Sequence, residues 1–140
     1  MKSFKKRAEE LIRDFAAQEF PRRLEVVLPE KCVPQYNYKC HLNSAQAVLT
    51  GVAVGVIETV IIYSDMAVAH YVNLMADGSI VDFTLGIAIV DCDVRFVRYI
   101  HPDEFSDEKM NDNLWKLKGH LMECLPWYYK KMFNETRRVC

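Results

Sequence analysis

No stretch constrains this chain more than His70 to Thr84, which reads His-Tyr-Val-Asn-Leu-Met-Ala-Asp-Gly-Ser-Ile-Val-Asp-Phe-Thr. Runs rich in Val, Ile and Tyr flank Asp77-Gly78, and Asp-Gly between such runs predicts a β-hairpin because glycine accepts φ > 0 without steric cost. The loop length decides which side chains meet. A two-residue loop would pair Ala76 with Ser79 and send His70 and Asp82 to opposite faces. A three-residue loop, Ala76-Asp77-Gly78, closed by a left-handed glycine, pairs Met75 with Ser79 and Val72 with Asp82. His70 then lies one diagonal step from Asp82 on the same face, about 7–8 Å away and within reach of two side chains. The three-residue register is the expectation, and Asn73 then projects to the face opposite His70.

An imidazole held by a carboxylate on a neighbouring strand is two-thirds of a nucleophilic triad. The missing third is a cysteine or serine. Upstream, Tyr38 to Leu49 predicts a helix whose first turn carries Cys40. Unpaired N–H groups and the positive end of the macrodipole at a helix start both favour thiolate over thiol. Each residue has a blander reading by itself: Cys40 as a buried apolar side chain, His70 as a core histidine bonded to a carbonyl, Asp82 as a turn cap. Their combination with the hairpin favours chemistry.

With 51% hydrophobic and 26% charged residues, the 140 residues have enough apolar material for one core, and 1–140 reads as a single domain. The net charge is −1 and the basic residues are scattered apart from Lys5-Lys6-Arg7 and Arg137-Arg138, so no footprint for nucleic acid stands out. Met1 to Ala16 is charged and amphipathic, unlike a secretory signal, and the most apolar run, Ala45 to Ile62, is broken by Gly51, Gly55 and Glu58, a poor membrane span. Cys32, Cys40, Cys92, Cys124 and Cys140 form neither an even framework nor a Cys-x-x-Cys pair, which points to a reducing compartment, the cytoplasm by default. A metal site drawn from Cys40, His41, His70 and Cys92 lacks the paired spacing of zinc ligands, so neither metal nor cofactor is expected.

Apolar residues at Phe4, Ala8, Leu11, Ile12, Phe15 and Ala16 predict a helix from Lys2 to about Gln18, capped by Ser3 and ended before Pro21. Leu24 to Leu28 reads as a short strand, and Pro29 to Lys39 as an irregular approach to Cys40. The Cys40 helix ends near Gly51, and the β-branched run from Val52 to Ser64 suggests a central strand covered on both faces. Ile87 to Val90 and Val94 to Ile100 read as further strands, paired mostly in sequence. Leu114, Leu117, Leu121, Cys124 and Leu125 form a helical stripe that Pro126 interrupts, with a short helix from Trp127 to Phe133 and a tail from Asn134. Trp115, Trp127, Tyr128 and Tyr129 read as packing aromatics. The whole is an α+β domain: an antiparallel sheet, a nucleophile-bearing helix packed on it, and helices at both ends.

The order Cys40, His70, Asp82 resembles the transglutaminase-like branch of the papain-like cysteine hydrolase superfamily. Many of its members show a histidine on a strand, an Asp-Gly turn, and an Asp-Pro-Thr; here these are His70, Asp77-Gly78 and Asp82-Phe83-Thr84, with Phe83 in place of proline. Cys40, Asn43 and Ser44 match the Cys-x-x-Asn-Ser/Ala pattern of small members from bacteria and phages. The aromatic usual two residues after the histidine stands one residue early, at Tyr71. The likeness covers roughly residues 35 to 85 and leaves both ends unmatched.

The resemblance implies a papain-like core and a thiol nucleophile. Cys40 attacks an amide, isopeptide or similar acyl carbonyl, His70 shuttles the proton, and Asp82 orients the imidazole. The Cys40 N–H and Gln35 or Asn37 would hold the oxyanion, with Gln35 preferred since papain-like enzymes use a glutamine before the cysteine. His41 reads as surface or substrate wall, while His101 and His120 read as solvated. Partners would be a peptide, protein or small amide substrate, without nucleic acid or membrane. The competing expectation is an inactive binding module, an inhibitor or adaptor that holds a peptide or small ligand in the same cleft.

Overall fold

The computed structural model describes residues 3–28 and 39–133. Residues 29–38 of the loop expected over Pro29 to Lys39 and the tail from Asn134, with Cys32, Gln35, Asn37 and Cys140, lie outside them. Helix α1 spans Phe4–Glu19, and Ser3 Oγ accepts the Lys6 N–H at its start (3.2 Å). Its apolar stripe buries Ala8, Ile12 and Ala16. Helix α2 spans Cys40–Leu49 and runs out at Gly51, whose φ of 78° only glycine adopts freely. The long C-terminal helix α3 is Asp107–Met122, started by Ser106 accepting the Lys109 N–H, and α4 is Trp127–Phe133.

Strands β1 (Arg23–Leu24), β2 (Gly55–Ile62), β3 (Ala67–Leu74), β4 (Ile80–Val81) and β5 (Asp93–Tyr99) form one sheet in the order β1-β5-β2-β3-β4. All named pairs are antiparallel. The β-branched run becomes the central strand β2, as its two-sided apolar pattern predicts. The chain after the hairpin does not pair in sequence, however: β5 crosses back to the free edge of β2. The β4 edge is taken by Val27, which makes a parallel bridge to Val81 and donates its N–H to Ile80 O (2.8 Å). Ile87 to Val90 is likewise no strand. Gly86–Ile89 forms a 3-10 turn that buries Ile89 and leaves Ile87 and Val90 outside, so the run lacks a period of two.

The sheet is curled. Leu24 pairs with Val94 at one edge, and Val27 bridges Val81 at the other. Three residues reach at most about 11 Å, whereas five strand spacings in a flat sheet cover about 24 Å. The edges must therefore approach each other, and the single strand expected over Leu24–Leu28 is divided between them.

Curling separates two cores. Val26, Ile57, Ile61, Val72, Ile89 and Val94 fill the inside. Outside, α1, α2, α3 and α4 cover the other face through Ile12, Ala45, Leu114, Leu117 and Tyr129 against Val56, Val60, Ala69 and Tyr71. Of the expected packing aromatics only Tyr129 is buried, stacked on Phe4; Trp115, Trp127 and Tyr128 face outward.

Candidate active site

The hairpin adopts the three-residue loop. Met75 N–H donates to Ser79 O (2.9 Å), Gly78 N–H donates to Met75 O (3.0 Å), and Gly78 sits at φ 87°. Asn73 pairs with Val81, so the continuation places Val72 opposite Asp82, and His70 and Asp82 share a face. They meet there. His70 is fully buried, and its ring Nε2 hydrogen-bonds Asp82 Oδ2.

Asp82 is held from its other side by its own turn: Oδ1 accepts the N–H groups of Thr84 (2.7 Å) and Leu85 (3.0 Å). Burial pushes its carboxyl up, but the His70 charge and hydrogen bond, with these two N–H donors, outweigh that and hold it below the usual carboxylate range. An ionised carboxylate only accepts, so Nε2 must carry the proton. In the neutral ring Nδ1 is then the basic nitrogen, and Nδ1 is buried with no partner among the described residues. An oriented imidazole with an unused buried lone pair has the electronic form of a general base.

Cys40 is fully buried as the first residue of α2, and the side chain of Lys39 at the N-cap makes no capping hydrogen bond, its carbonyl accepting the Asn43 N–H (2.9 Å). Its sulfur is engaged in a disulfide, while Cys92 and Cys124 are free. The reading of all five cysteines as thiols is thus corrected at Cys40, since an odd total does not prevent one pair. Cys40 packs in the outer core with Ala69 and Tyr71, whereas strand alternation places His70 with Val72 inside the curl. The link between the two sides runs along the end of β4. Asn43, one turn after Cys40, donates from Nδ2 to Thr84 Oγ1 (2.9 Å) in a buried contact. Asn73, on the face opposite His70 as expected, donates to Ser44 O (3.0 Å) and Gly55 O (3.1 Å), tying α2 to the sheet.

His41 bridges helices: its Nε2 lies 3.1 Å from Asp107 Oδ1 at the start of α3. His101 caps the 3-10 turn Pro102–Glu104 and is exposed, while His120 is half-buried and meets Glu19. Sequence reasoning quoted Asn43 and Thr84 only as motif letters and gave them no task, although their offsets of three from Cys40 and two from Asp82 fit a shared helix face and an Asx turn. It weighed Cys92 only as a metal ligand, whereas the Cys92 thiol donates to Ala88 O (3.1 Å). Burial, then Asp91 and Asp82, push the Cys92 thiol up. Among the described residues no three His, Cys, Asp or Glu side chains gather as a metal site requires, and no helix is long and apolar enough to cross a membrane. No protein-family model, curated protein or solved structure matches this chain.

Proposed function

We propose that this chain is a cysteine hydrolase or acyltransferase acting on an amide, isopeptide or similar acyl bond. The observation that carries this reading is the buried His70–Asp82 pair with an unused Nδ1, joined through Thr84 and Asn43 to the helix that begins at Cys40. The likeness of the Cys40, His70 and Asp82 motifs to the transglutaminase-like, papain-like superfamily supports it.

Two electrons from a dithiol reductant open the disulfide and leave Cys40 as a thiol. In the proposed reaction the thiol proton passes to His70 Nδ1 around the end of β4, where Asn43 and Thr84 join the two sides of the sheet, and the thiolate attacks the acyl carbon, with the N–H at the start of α2 and Gln35 or Asn37 receiving the oxyanion. The imidazolium then protonates the leaving amine. The resulting thioester passes its acyl group to water, as in a hydrolase, or to a second amine, as in a transferase. His41 lines the substrate side of the helix. A reducing compartment such as the cytoplasm would keep the thiol available.

The protein, incubated with dithiothreitol and then briefly with iodoacetamide, should carry the label at Cys40 first. Cys92 and Cys124 should lag, because the proposed chemistry gives neither an oriented imidazole to take its proton. Labelling of reduced Cys40 no faster than Cys92 would sink the proposal. The disulfide at Cys40 favours one other reading, a binding module whose cleft needs no thiol. Under that reading Cys40→Ala keeps full affinity for a bound peptide; under ours it abolishes turnover.

A further inference from the structure

Resting on the proposed Cys40, His70 and Asp82 chemistry, we infer that Thr84 and Asn43 are positioning residues that set the acid and the imidazole relative to the helix bearing the nucleophile. Thr84 faces two ways. Its N–H donates to Asp82 Oδ1 at 2.7 Å, and its hydroxyl oxygen accepts from Asn43 Nδ2 at 2.9 Å. The carboxylate of Asp82 therefore moves with the turn, and the turn is anchored to α2.

The anchor point matters. Asn43 follows Cys40 by three residues, on the same face of α2 and about 4.5 Å along its axis. Asn43, Thr84, Asp82 and His70 are all buried, so each bond of the series forms away from competing water. Asn73 also holds α2, but through Ser44 O and from the face of β3 that points away from His70, so it sets the helix against the sheet without orienting the carboxylate. The Thr84 route joins the helix to the acid. Displacements on the order of 1 Å in such a chain cost about 10²-fold in rate. Losing the Thr84 hydroxyl releases the turn, tilts the Asp82 carboxylate and leaves the imidazole without a fixed direction for Nδ1.

The test uses the full chain in dithiothreitol, reading the iodoacetamide rate at Cys40 by peptide mass from acid to alkaline pH, with melting temperature alongside. In the unaltered protein an oriented imidazole gives a reactive plateau well below the ordinary thiol range near pH 8.5. Thr84→Val, nearly the same shape without the hydroxyl, should lower that plateau at least tenfold while the alkaline rate persists, and Thr84→Ser should restore it. Asn43→Ser, too short to reach Thr84, should repeat the loss if Thr84→Val does not fold. A plateau unchanged in Thr84→Val or Asn43→Ser overturns the inference and leaves the enzyme reading standing. A plateau that Thr84→Ser fails to restore also overturns it, as a packing effect. A reduced protein with no plateau at all overturns the enzyme reading, and this inference with it.

Discussion

Asp82 concentrates the electrostatics of the site in one side chain, because it alone decides which nitrogen of His70 bears the proton. Asp82→Asn can offer an amide N–H to Nε2 and so move the proton to Nδ1, where it blocks base catalysis. Acyl transfer should then fall by about 10⁴-fold, as for other triads with the wrong tautomer, checked by pre-steady-state kinetics on an activated ester. Truncation to Ala leaves a buried imidazole without its partner and should cost about 3–5 kcal/mol in urea unfolding. The pH dependence has a definite sign. Because the folded pKa of Asp82 is depressed, its stabilisation is complete above the unfolded value near 3.9 and is lost as pH falls through the lower folded value. Glu58 behaves oppositely: burial, only partly offset by Arg98 and the Tyr71 hydroxyl, raises its pKa, so stability declines as pH rises from its ordinary value through the raised one. Urea titrations across acid pH should show Asp82→Asn flattening the acid limb and Glu58→Gln removing the decline above it. At this scale His70 and Asp82 were legible in sequence because their separation is twelve positions across one turn. The linkage through Thr84 was not, since Asn43 lies forty-one residues away and no local pattern encodes that approach.

Among the elements, the hairpin joining β3 and β4 is where local chemistry dictates tertiary outcome. Gly78 at φ 87° closes the loop, and Asp77 Oδ1 accepts the Ser79 N–H and hydroxyl, which keeps the turn at three residues. Nothing lies within 4 Å of a Cβ added at Gly78, so only backbone conformation resists substitution. Gly78→Ala should therefore cost about 1–2 kcal/mol, seen as a lower urea midpoint, with the His70–Asp82 bond retained; loss of that bond would mean the register itself had slipped. Helices α1 and α2, their Ser3 cap and Gly51 stop, and the α3 stripe were readable for the same reason: 3.6-residue periodicity and end signals are local. Ile87 to Val90 deceived because a short apolar run resembles a strand, while its actual shape is imposed by the return of the chain from β4 to β5.

For the molecule as a whole, β2 carries the architecture. Strands β3 and β5 bond both of its edges, and the inner and outer cores cover both faces. Native-state hydrogen exchange should find its amides from Val56 to Ile61 slowest, opening only with global unfolding, and those of α4 among the fastest; faster exchange in β2 than in α3 would contradict this architecture. The sequence by itself determined the α+β class, the helix starts, the central strand and the hairpin register, because each follows from spacing within a dozen residues or fewer. Tertiary structure decided the rest. Strand β5 pairs with β2 while Val27 bridges the β4 edge, and only three residues connect the two edges of the curled sheet. That curl put His70 and Asp82 inside and the helix bearing Cys40 outside, and it left Thr84 at the strand end where the two sides meet. Such placements depend on which distant surfaces bury one another, a competition of packing energies that no single stretch of chain contains.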